Sequence, residues 1–138
     1  MSALDPTRRP SRRYGPPTVL IADDDPVVAR LLAELVRQQG WRPLVAADAM
    51  QAVMFAVRGE PAAIVLDIMM PGGTGLHALR QLRTNAKTMG IPVIVLSGSP
   101  DPELPAKVEA LGAAVFMAKP LDADRMRDEL VALVESAD

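Results

Sequence analysis

The sequence predicts an α/β domain in which a doubly wound parallel sheet of five strands carries helices on both faces. Short apolar runs alternate five times with stretches whose apolar residues recur at helical spacing, as in a parallel sheet with crossover helices. The chain has 138 residues, enough for one ordinary domain, and 49% of them are hydrophobic, so a sizeable core can form. The run Ala62–Leu66 is unbroken, which is typical of a strand buried on both faces.

Composition and charge exclude several classes of protein. The chain has no cysteine, which excludes disulfides, thiolate metal sites and thiol nucleophiles. Its formal net charge of −2 gives no electrostatic reason to expect direct binding of nucleic acid. No apolar run approaches the ~20 residues that a membrane span needs. We therefore expect a cytoplasmic protein that makes no contact with a membrane.

Residues 1–17 differ in composition from the rest of the chain. They are rich in proline and arginine, and they cannot bury enough apolar surface to order themselves. We interpret them as a disordered basic tail, which is either a solvated leader or an arm that docks on an acidic partner or nucleic acid. The folded domain is then expected at residues 18–138.

The first predicted strand and helix have clear boundary signals. Thr18–Ala22 is a short apolar strand that ends in three consecutive aspartates. The last of these, Asp25, is expected to cap a helix that begins at Pro26, a position that needs no backbone donor. Gly40 supplies the stop. The apolar residues of this helix recur at helical spacing and are Val27, Val28, Leu31, Leu32, Leu35 and Val36.

The next two strand–helix pairs follow the same plan. Arg42–Ala46 is the second strand, and Asp48 predicts the N-cap of a helix whose apolar residues are Met50, Val53, Met54 and Val57. The third strand is the buried run that ends in Asp67. Thr74 can cap the following helix, whose inner face carries Leu76, Leu79 and Leu82.

The last two pairs include a helix with an unusual start. Ile91–Leu96 is the fourth strand. Because only the first positions of a helix tolerate proline, the prolines within Pro100–Pro105 predict a short fourth helix, which Gly112 ends. Ala113–Ala118 is the fifth strand. The last helix spans about Leu121–Glu135. Its inner face is expected to carry Met126, Leu130, Val131 and Val134.

Polar groups follow four of the five predicted strands, namely Asp23 and Asp24, Asp67, Ser97, and Lys119. Parallel strands end at the same edge of a sheet, so these groups are expected to converge. Clustered carboxylates hold protons or bind a cation, and oxygen ligands favour Mg²⁺ or Mn²⁺. Beside such a cation, Asp67 can attack phosphorus and form an aspartyl phosphate. Lys119 and the metal would neutralise the phosphoryl oxygens, and Ser97 could hydrogen-bond to one of them.

Two features admit a second interpretation. Glycines before a helix can cradle a phosphate, but residues 72–75 lack the Gly-Lys-Ser/Thr ending of a phosphate loop, so a tight turn is favoured. His77 stands alone on the outward part of its helix. It is interpreted as a surface residue, with a phosphodonor or a ligand as the alternative.

At this point the motifs resemble the receiver domain of two-component response regulators. Val19–Pro26 resembles the first-strand motif of that family, and Leu66–Gly72 resembles its phosphoacceptor motif. Val95–Ser97 matches the position of its hydroxyl, and Ala118–Pro120 matches its lysine with the following proline. The resemblance implies a flavodoxin-like sheet in the order 2-1-3-4-5.

The resemblance also implies roles for individual residues. Asp67 would accept a phosphoryl group from a histidine kinase or a histidine phosphotransfer protein. Asp24, Asp67 and the backbone carbonyl of Met69 would bind Mg²⁺ directly, and Asp23 would act mostly through water. The remaining roles are contact with the phosphoryl oxygens by Ser97 and Lys119, and switching by Ser97 and Phe116.

Phosphorylation would add roughly −1.5 to −2 charges and shift the contacts that the face of strands four and five makes with an unknown protein target. We expect a stand-alone regulator, monomeric or weakly dimeric, which catalyses only its own phosphorylation and dephosphorylation. The alternative is a pseudo-receiver, a binding module that keeps these residues without using them. An enzyme acting on an external phosphoester is disfavoured, because Met69 occupies the place of its general acid.

Overall fold

The computed structural model describes residues 15–70 and 75–136, which form five strands and five helices. In chain order they are β1 (Thr18–Ala22), α1 (Pro26–Gln38), β2 (Arg42–Ala46), α2 (Ala49–Gly59), β3 (Ala63–Asp67), α3 (Gly75–Thr84), β4 (Val93–Ser97), α4 (Leu104–Ala110), β5 (Val115–Ala118) and α5 (Ala123–Glu135). Every strand pairing is parallel, and the strand order is β2-β1-β3-β4-β5. The predicted fold class and strand order are confirmed.

Some predicted features lie outside the described residues. These are residues 1–14 of the predicted tail, the turn at residues 72–74 and the cap at Thr74. The end of the predicted tail is described, and the carbonyl of Pro17 accepts a hydrogen bond of 2.9 Å from the backbone N–H of Arg42. Within the described ranges, every helix is too short or too polar to cross a membrane.

The central strand β3 fixes the position of Asp67. It pairs with β1 on one side and with β4 on the other, and all its residues are buried. In the register of the sheet, Asp67 lies opposite Leu96, and Ser97 lies opposite Ala118. The carboxyl ends of these strands therefore lie side by side at one edge of the sheet.

Two apolar layers cover the sheet, because successive side chains of a strand point to opposite faces. The layer against α2, α3 and α4 takes from the strands Leu20, Ile64, Leu66, Val93 and Val95. The layer against α1 and α5 takes Val19, Ile21, Val65, Ile94 and Leu96. Both faces of the inner strands are therefore covered by apolar side chains and shielded from water, which accounts for the unbroken apolar runs in the sequence.

Helix α2 buries a different face from the one that its large apolar residues suggest. The buried residues are Ala49, Ala52 and Ala56, whereas Met50 is 72% exposed and Met54 is 39% exposed. Of the four apolar residues that the sequence assigns to this helix, Met50 and Met54 therefore do not form its inner face. Small side chains let the helix lie close to the sheet, and a helix that is apolar all round does not reveal which side faces the core.

The other helices agree more closely with the sequence. Asp25 caps α1 by accepting a hydrogen bond of 2.9 Å from the N–H of Val27, and Asp48 caps α2. In α1, Leu32, Leu35 and Val36 are buried, but Val27 and Leu31 are exposed, so the apolar pattern is wider than the buried stripe. Helix α4 is short, as predicted. In α5 the buried residues are Met126, Leu130 and Val134.

The loop between α3 and β4 is held by the side chain of Arg83. Its guanidinium donates hydrogen bonds to the backbone carbonyls of Met89, at 3.1 Å, of Thr88, at 3.3 Å, and of Ile91. The stem of Arg83 passes Gly112, where an added Cβ would lie 2.7 Å from its Cδ. This one side chain thus links the loop before β4 to the turn before β5.

Replacing Arg83 with alanine is expected to lower the free energy of unfolding by about 2 kcal/mol, because three loop carbonyls lose a charged donor. Urea unfolding measures this change. Arg80→Ala, on the exposed side of the same helix, is the matched control and should stay within about 0.5 kcal/mol of the native chain. Equal effects of the two variants would contradict the role given to Arg83.

Candidate functional site

The structure brings together side chains that are far apart in the sequence. Asp23 follows β1, Asp67 ends β3 and Lys119 follows β5. The Nζ atom of Lys119 lies 3.1 Å from Oδ2 of Asp23 and 3.3 Å from Oδ2 of Asp67. The side chain of Lys119 therefore bridges two carboxylates that are both almost completely buried. The structure therefore brings together Asp23, Asp67 and Lys119, as the sequence predicted for this edge of the sheet.

Backbone amides hold the second oxygen of each buried carboxylate. The N–H of Asp25 donates to Oδ1 of Asp23 at 2.9 Å, and the N–H of Met69 donates to Oδ1 of Asp67 at 3.0 Å. Each donor lies two residues after the carboxylate that it binds. Nζ of Lys119 donates a hydrogen bond of 3.3 Å to Oδ2 of Asp67 and one of 3.4 Å to Oδ1 of Asp23, the oxygen that the amide of Asp25 also binds. These donors restrain the orientation of both carboxylates. The sequence did not reveal these amide donors, since any residue supplies an N–H.

The acidic cluster has the donor set of a divalent cation site. Asp23, Asp24 and Asp67 can each place one carboxylate oxygen within 4.8 Å of the others. Asp24 is exposed, so a cation could reach the two buried carboxylates from the solvent side. Oδ2 of Asp23 accepts no hydrogen bond, although Nζ of Lys119 lies 3.1 Å away and forms an ion pair with it. A buried carboxylate oxygen of this kind, in a set made only of oxygen donors, fits Mg²⁺ or Mn²⁺.

Burial and crowding act on the protonation of this cluster. Burial raises the pKa of Asp23, and the charge of Asp67 adds to this effect, whereas the amide of Asp25 and the ammonium of Lys119 oppose it. For Lys119, burial alone lowers the pKa, but the hydrogen bonds and charges of Asp23 and Asp67 outweigh burial and raise it. The folded protein therefore favours the charged form of Lys119, whereas ionising Asp23 costs free energy in the folded protein.

Ser97 and Phe116 are placed by the main chain of β4 and β5. Ser97 is fully buried, and its carbonyl accepts a hydrogen bond of 2.8 Å from the N–H of Lys119. The Oγ atom of Ser97 accepts a hydrogen bond of 3.0 Å from the N–H of Ser99. Phe116 is half-buried and packs on the layer with α2, α3 and α4. His77 is exposed on α3 and is not part of the acidic cluster.

Gly75 shapes the segment that follows Asp67, a role that the sequence did not reveal. Its N–H donates a hydrogen bond of 3.0 Å to the carbonyl of Ile68. A Cβ atom at Gly75 would lie 2.5 Å from that carbonyl oxygen and 2.7 Å from its carbon. Helix α3 therefore begins in direct contact with the backbone next to the phosphoacceptor candidate, which only glycine permits.

Comparison with known proteins identifies the family. The model of the response regulator receiver domain matches residues 19–131. The chain belongs to this family. As a member of it, the chain is a receiver domain of two-component systems.

Similar receivers are found in proteins of different length. The probable transcriptional regulatory protein TcrX of Mycobacterium tuberculosis is 33% identical over 119 residues, which are 86% of this chain and 50% of that protein. This receiver chain thus spans about half the length of TcrX. Sporulation initiation phosphotransferase F of Bacillus subtilis is 29% identical, over 80% of this chain and 87% of that protein.

A solved structure gives the same fold with a metal. The receiver domain of the sensor histidine kinase PA1611 from Pseudomonas aeruginosa has a TM-score of 0.79 and 24% identity, covering 88% of this chain and 99% of that one. In that protein a magnesium ion is coordinated in the active-site cleft. At 24% identity, this likeness shows that the two proteins share a fold.

Asp23→Asn is expected to raise the thermal midpoint of the receiver in a buffer with a chelator, because folding disfavours the charged form of Asp23. A carboxyl whose pKa is raised on folding stabilises the native state below its ordinary value, here 3.8, and loses this stabilisation as the pH rises through the folded pKa. The advantage of the asparagine variant should therefore be smallest near about pH 4 and grow toward neutral pH. Scanning calorimetry at several pH values measures it, with the exposed Asp124→Asn as control. A variant less stable at every pH would contradict the prediction.

Gly75→Ala is expected to destabilise the receiver by about 2 kcal/mol, since the new methyl group overlaps the backbone of Ile68. Gly59→Ala, at the end of α2, is the matched control, because its Cβ would meet only Leu44 at 3.4 Å. The control should be neutral or stabilising by about 0.5 kcal/mol. Chemical unfolding compares the two, and a neutral Gly75→Ala would contradict the close contact.

Proposed function

We propose that this receiver accepts a phosphoryl group on Asp67 from a histidine kinase or a histidine phosphotransfer protein. The observation that carries the proposal is the ammonium of Lys119 within 3.3 Å of Oδ2 of Asp67, beside two further carboxylates. An isolated buried ion pair would need only one aspartate. Three carboxylates and one lysine in a single cluster fit a site where a cation and phosphoryl oxygens are held together.

The transfer is a substitution at phosphorus. A carboxylate oxygen of Asp67 forms a bond to phosphorus, while the bond between phosphorus and the imidazole nitrogen of the partner breaks. The electron pair of that bond stays on the imidazole, which leaves as a neutral ring when its other nitrogen carries a proton. The amide of Met69 holds the carboxylate in a fixed orientation, so little motion is needed before the attack.

Other side chains of the cluster act on the transferred group. The ammonium of Lys119 pairs with a phosphoryl oxygen, and the hydroxyl of Ser97 donates a hydrogen bond to another. Asp23, Asp24, Asp67 and the carbonyl of Met69 would hold Mg²⁺, with Mn²⁺ as the other candidate. When bound, the cation neutralises charge that develops on the phosphoryl oxygens. Two observations support the fit of these residues to the metal: all the side-chain donors are oxygens, and Oδ2 of Asp23 accepts no hydrogen bond.

The output of the receiver is a change in protein contacts. Phosphorylation turns a compact carboxylate into a larger group with roughly −1.5 to −2 charges. Attraction of Ser97 and Lys119 to this group would shift β4 and β5. The half-buried Phe116 on β5 would then change its contacts with an unknown protein target.

We place this protein in the cytoplasm, as a monomer or weak homodimer without nucleic-acid or membrane contact. Its only catalysis is its own phosphorylation and dephosphorylation.

Asp67→Asn is expected to abolish acid-labile labelling by a phosphodonor such as acetyl phosphate, because an amide oxygen is a far weaker nucleophile than a carboxylate. Asp124→Asn, on the exposed side of α5, is the control and should be labelled as fast as the native chain. Undiminished labelling of the Asp67 variant would overturn the assignment.

A second measurement separates a working receiver from a pseudo-receiver. Beryllofluoride with Mg²⁺ imitates a bound phosphoryl group, and ligand binding to the native state raises the thermal midpoint. We expect a saturable rise in the native chain that needs both components. A midpoint that does not respond would support the phosphorylation-independent binding module instead.

A further inference from the structure

Helix α2 is apolar on its outer side as well as on its inner side. The inner side is made of small buried residues, namely Ala49, Ala52 and Ala56. On the outer side, Met50 is 72% exposed and Met54 is 39% exposed. Residues four apart lie on the same side of a helix, so the two methionines form a row that the exposed Arg58 continues. We call Met50, Met54 and Arg58 the α2 row.

The two ends of α2 carry opposite charges that have room for a partner. Arg58 lies in the last turn and has no ion-pair partner among the residues that the structure describes. At the other end, Oδ1 of Asp48 caps the helix by accepting a hydrogen bond of 2.8 Å from the N–H of Gln51. Within the described part of the chain, the other oxygen of Asp48 accepts no hydrogen bond. A partner of α2 therefore needs an acidic group at one end and a basic group at the other.

A second copy of α2 in the antiparallel direction meets this requirement. The α2 row is symmetric about Met54, because Met50 and Arg58 each lie four residues from it. When two antiparallel copies cross at Met54, this residue meets itself, and Met50 meets the aliphatic stem of the partner's Arg58. The guanidinium of the partner's Arg58 then extends to the helix start, where Asp48 lies. Two-fold symmetry repeats this ion pair at the other end of the contact.

The same arrangement keeps like charges apart. Each Arg58 lies four residues from the crossing point, so the two arginines are separated by about 12 Å along the helix axis, at a rise of about 1.5 Å per residue. Methionine suits the centre of such a contact, because its flexible thioether side chain adapts to the surface that it meets. The α2 row is thus complementary to itself in shape, polarity and charge.

We propose that the α2 row is a self-association surface, on which two receivers form an antiparallel two-fold dimer with Met54 at the axis and Arg58 paired with the partner's Asp48. Such a dimer needs no phosphorylation of Asp67, so it goes beyond the proposed function and does not depend on it. A contact of one helix with its copy is smaller than the roughly 800 Å² per partner of an ordinary stable interface. The dimer is therefore weak and forms only at high protein concentration.

The test places opposite charges at the centre of the contact. Sedimentation equilibrium of the full chain, from about 10 µM to about 1 mM, should show dimers of the native receiver. Met54→Lys and Met54→Glu should each raise the dissociation constant about tenfold or more, because like charges then meet across the two-fold axis. An equimolar mixture of the two variants should associate again as a heterodimer, because Lys and Glu attract each other. This recovery also shows that neither variant is misfolded.

The matched controls change an exposed methionine elsewhere. Met89, in the segment between α3 and β4, is 57% exposed. Met89→Lys and Met89→Glu make the same changes of charge and should leave the dissociation constant within about twofold of the native value. Circular dichroism checks the helix content of every variant.

Two further variants test the ion pair at the ends of α2. Asp48→Asn keeps an oxygen for the helix cap and removes the charge, and Arg58→Gln removes the opposite charge. Each should raise the dissociation constant about fivefold, because each loses two symmetry-related exposed pairs. The double variant should be no weaker than either single one, as expected for two residues that act on each other.

Four results would overturn the inference. A native chain that stays monomeric up to about 1 mM would leave the α2 row to a different protein. Native association of both Met54 variants would place the contact on another face, and equal weakening by the Met89 variants would show a general effect of charge. Failure of the mixed Met54 variants to associate would exclude the antiparallel crossing. Labelling of Asp67 is measured separately, so none of these results decides the proposed function.

Discussion

The ammonium of Lys119, shared by Asp23 and Asp67, is the interaction on which the site depends. Two carboxylates ~4 Å apart repel each other by about 4 kcal/mol at an effective dielectric constant near 20, and this cluster contains three. One ammonium cannot neutralise them all, so the cluster keeps an excess of negative charge that a divalent cation can balance. Burial is the main cause of the raised pKa of Asp23, and the negative charge of Asp67 adds to it. The oxygen-only donor set of this cluster therefore suits a divalent cation.

The sheet makes this costly arrangement possible. Strand β3 is buried along its whole length, so Asp67 is held by a backbone that cannot shift without disturbing both apolar layers. Lys119 reaches Asp67 past the end of β4, because Asp67 ends β3, Lys119 follows β5, and β4 lies between these two strands in one parallel sheet. A rigid frame of this kind keeps charged groups in place that would move apart in a flexible loop.

The connections around the site are held by polar contacts to the backbone. Asp25 caps α1 with its side chain and binds Asp23 with its amide, so one residue sets the start of a helix and the orientation of a carboxylate. Gly75 brings α3 against Ile68, and the side chains of Ser97 and Asp101 accept hydrogen bonds from backbone N–H groups in the segment between β4 and α4. Such contacts have definite directions, so they fix how the segments after the strands are oriented at this edge of the sheet.

The sequence by itself determined the order of the strands and helices, the caps at Asp25 and Asp48, and the polar groups at the strand ends. These features depend on local chemistry, namely hydrophobic runs, N-caps and turn residues, and parallel strands place their ends at one edge. Only the tertiary structure decided that alanines, and not Met50 and Met54, form the inner face of α2. It also decided which oxygens meet Lys119 and which amides hold the others. The physical reason is that periodicity reports where apolar side chains occur, whereas partners, distances and directions depend on how remote segments pack.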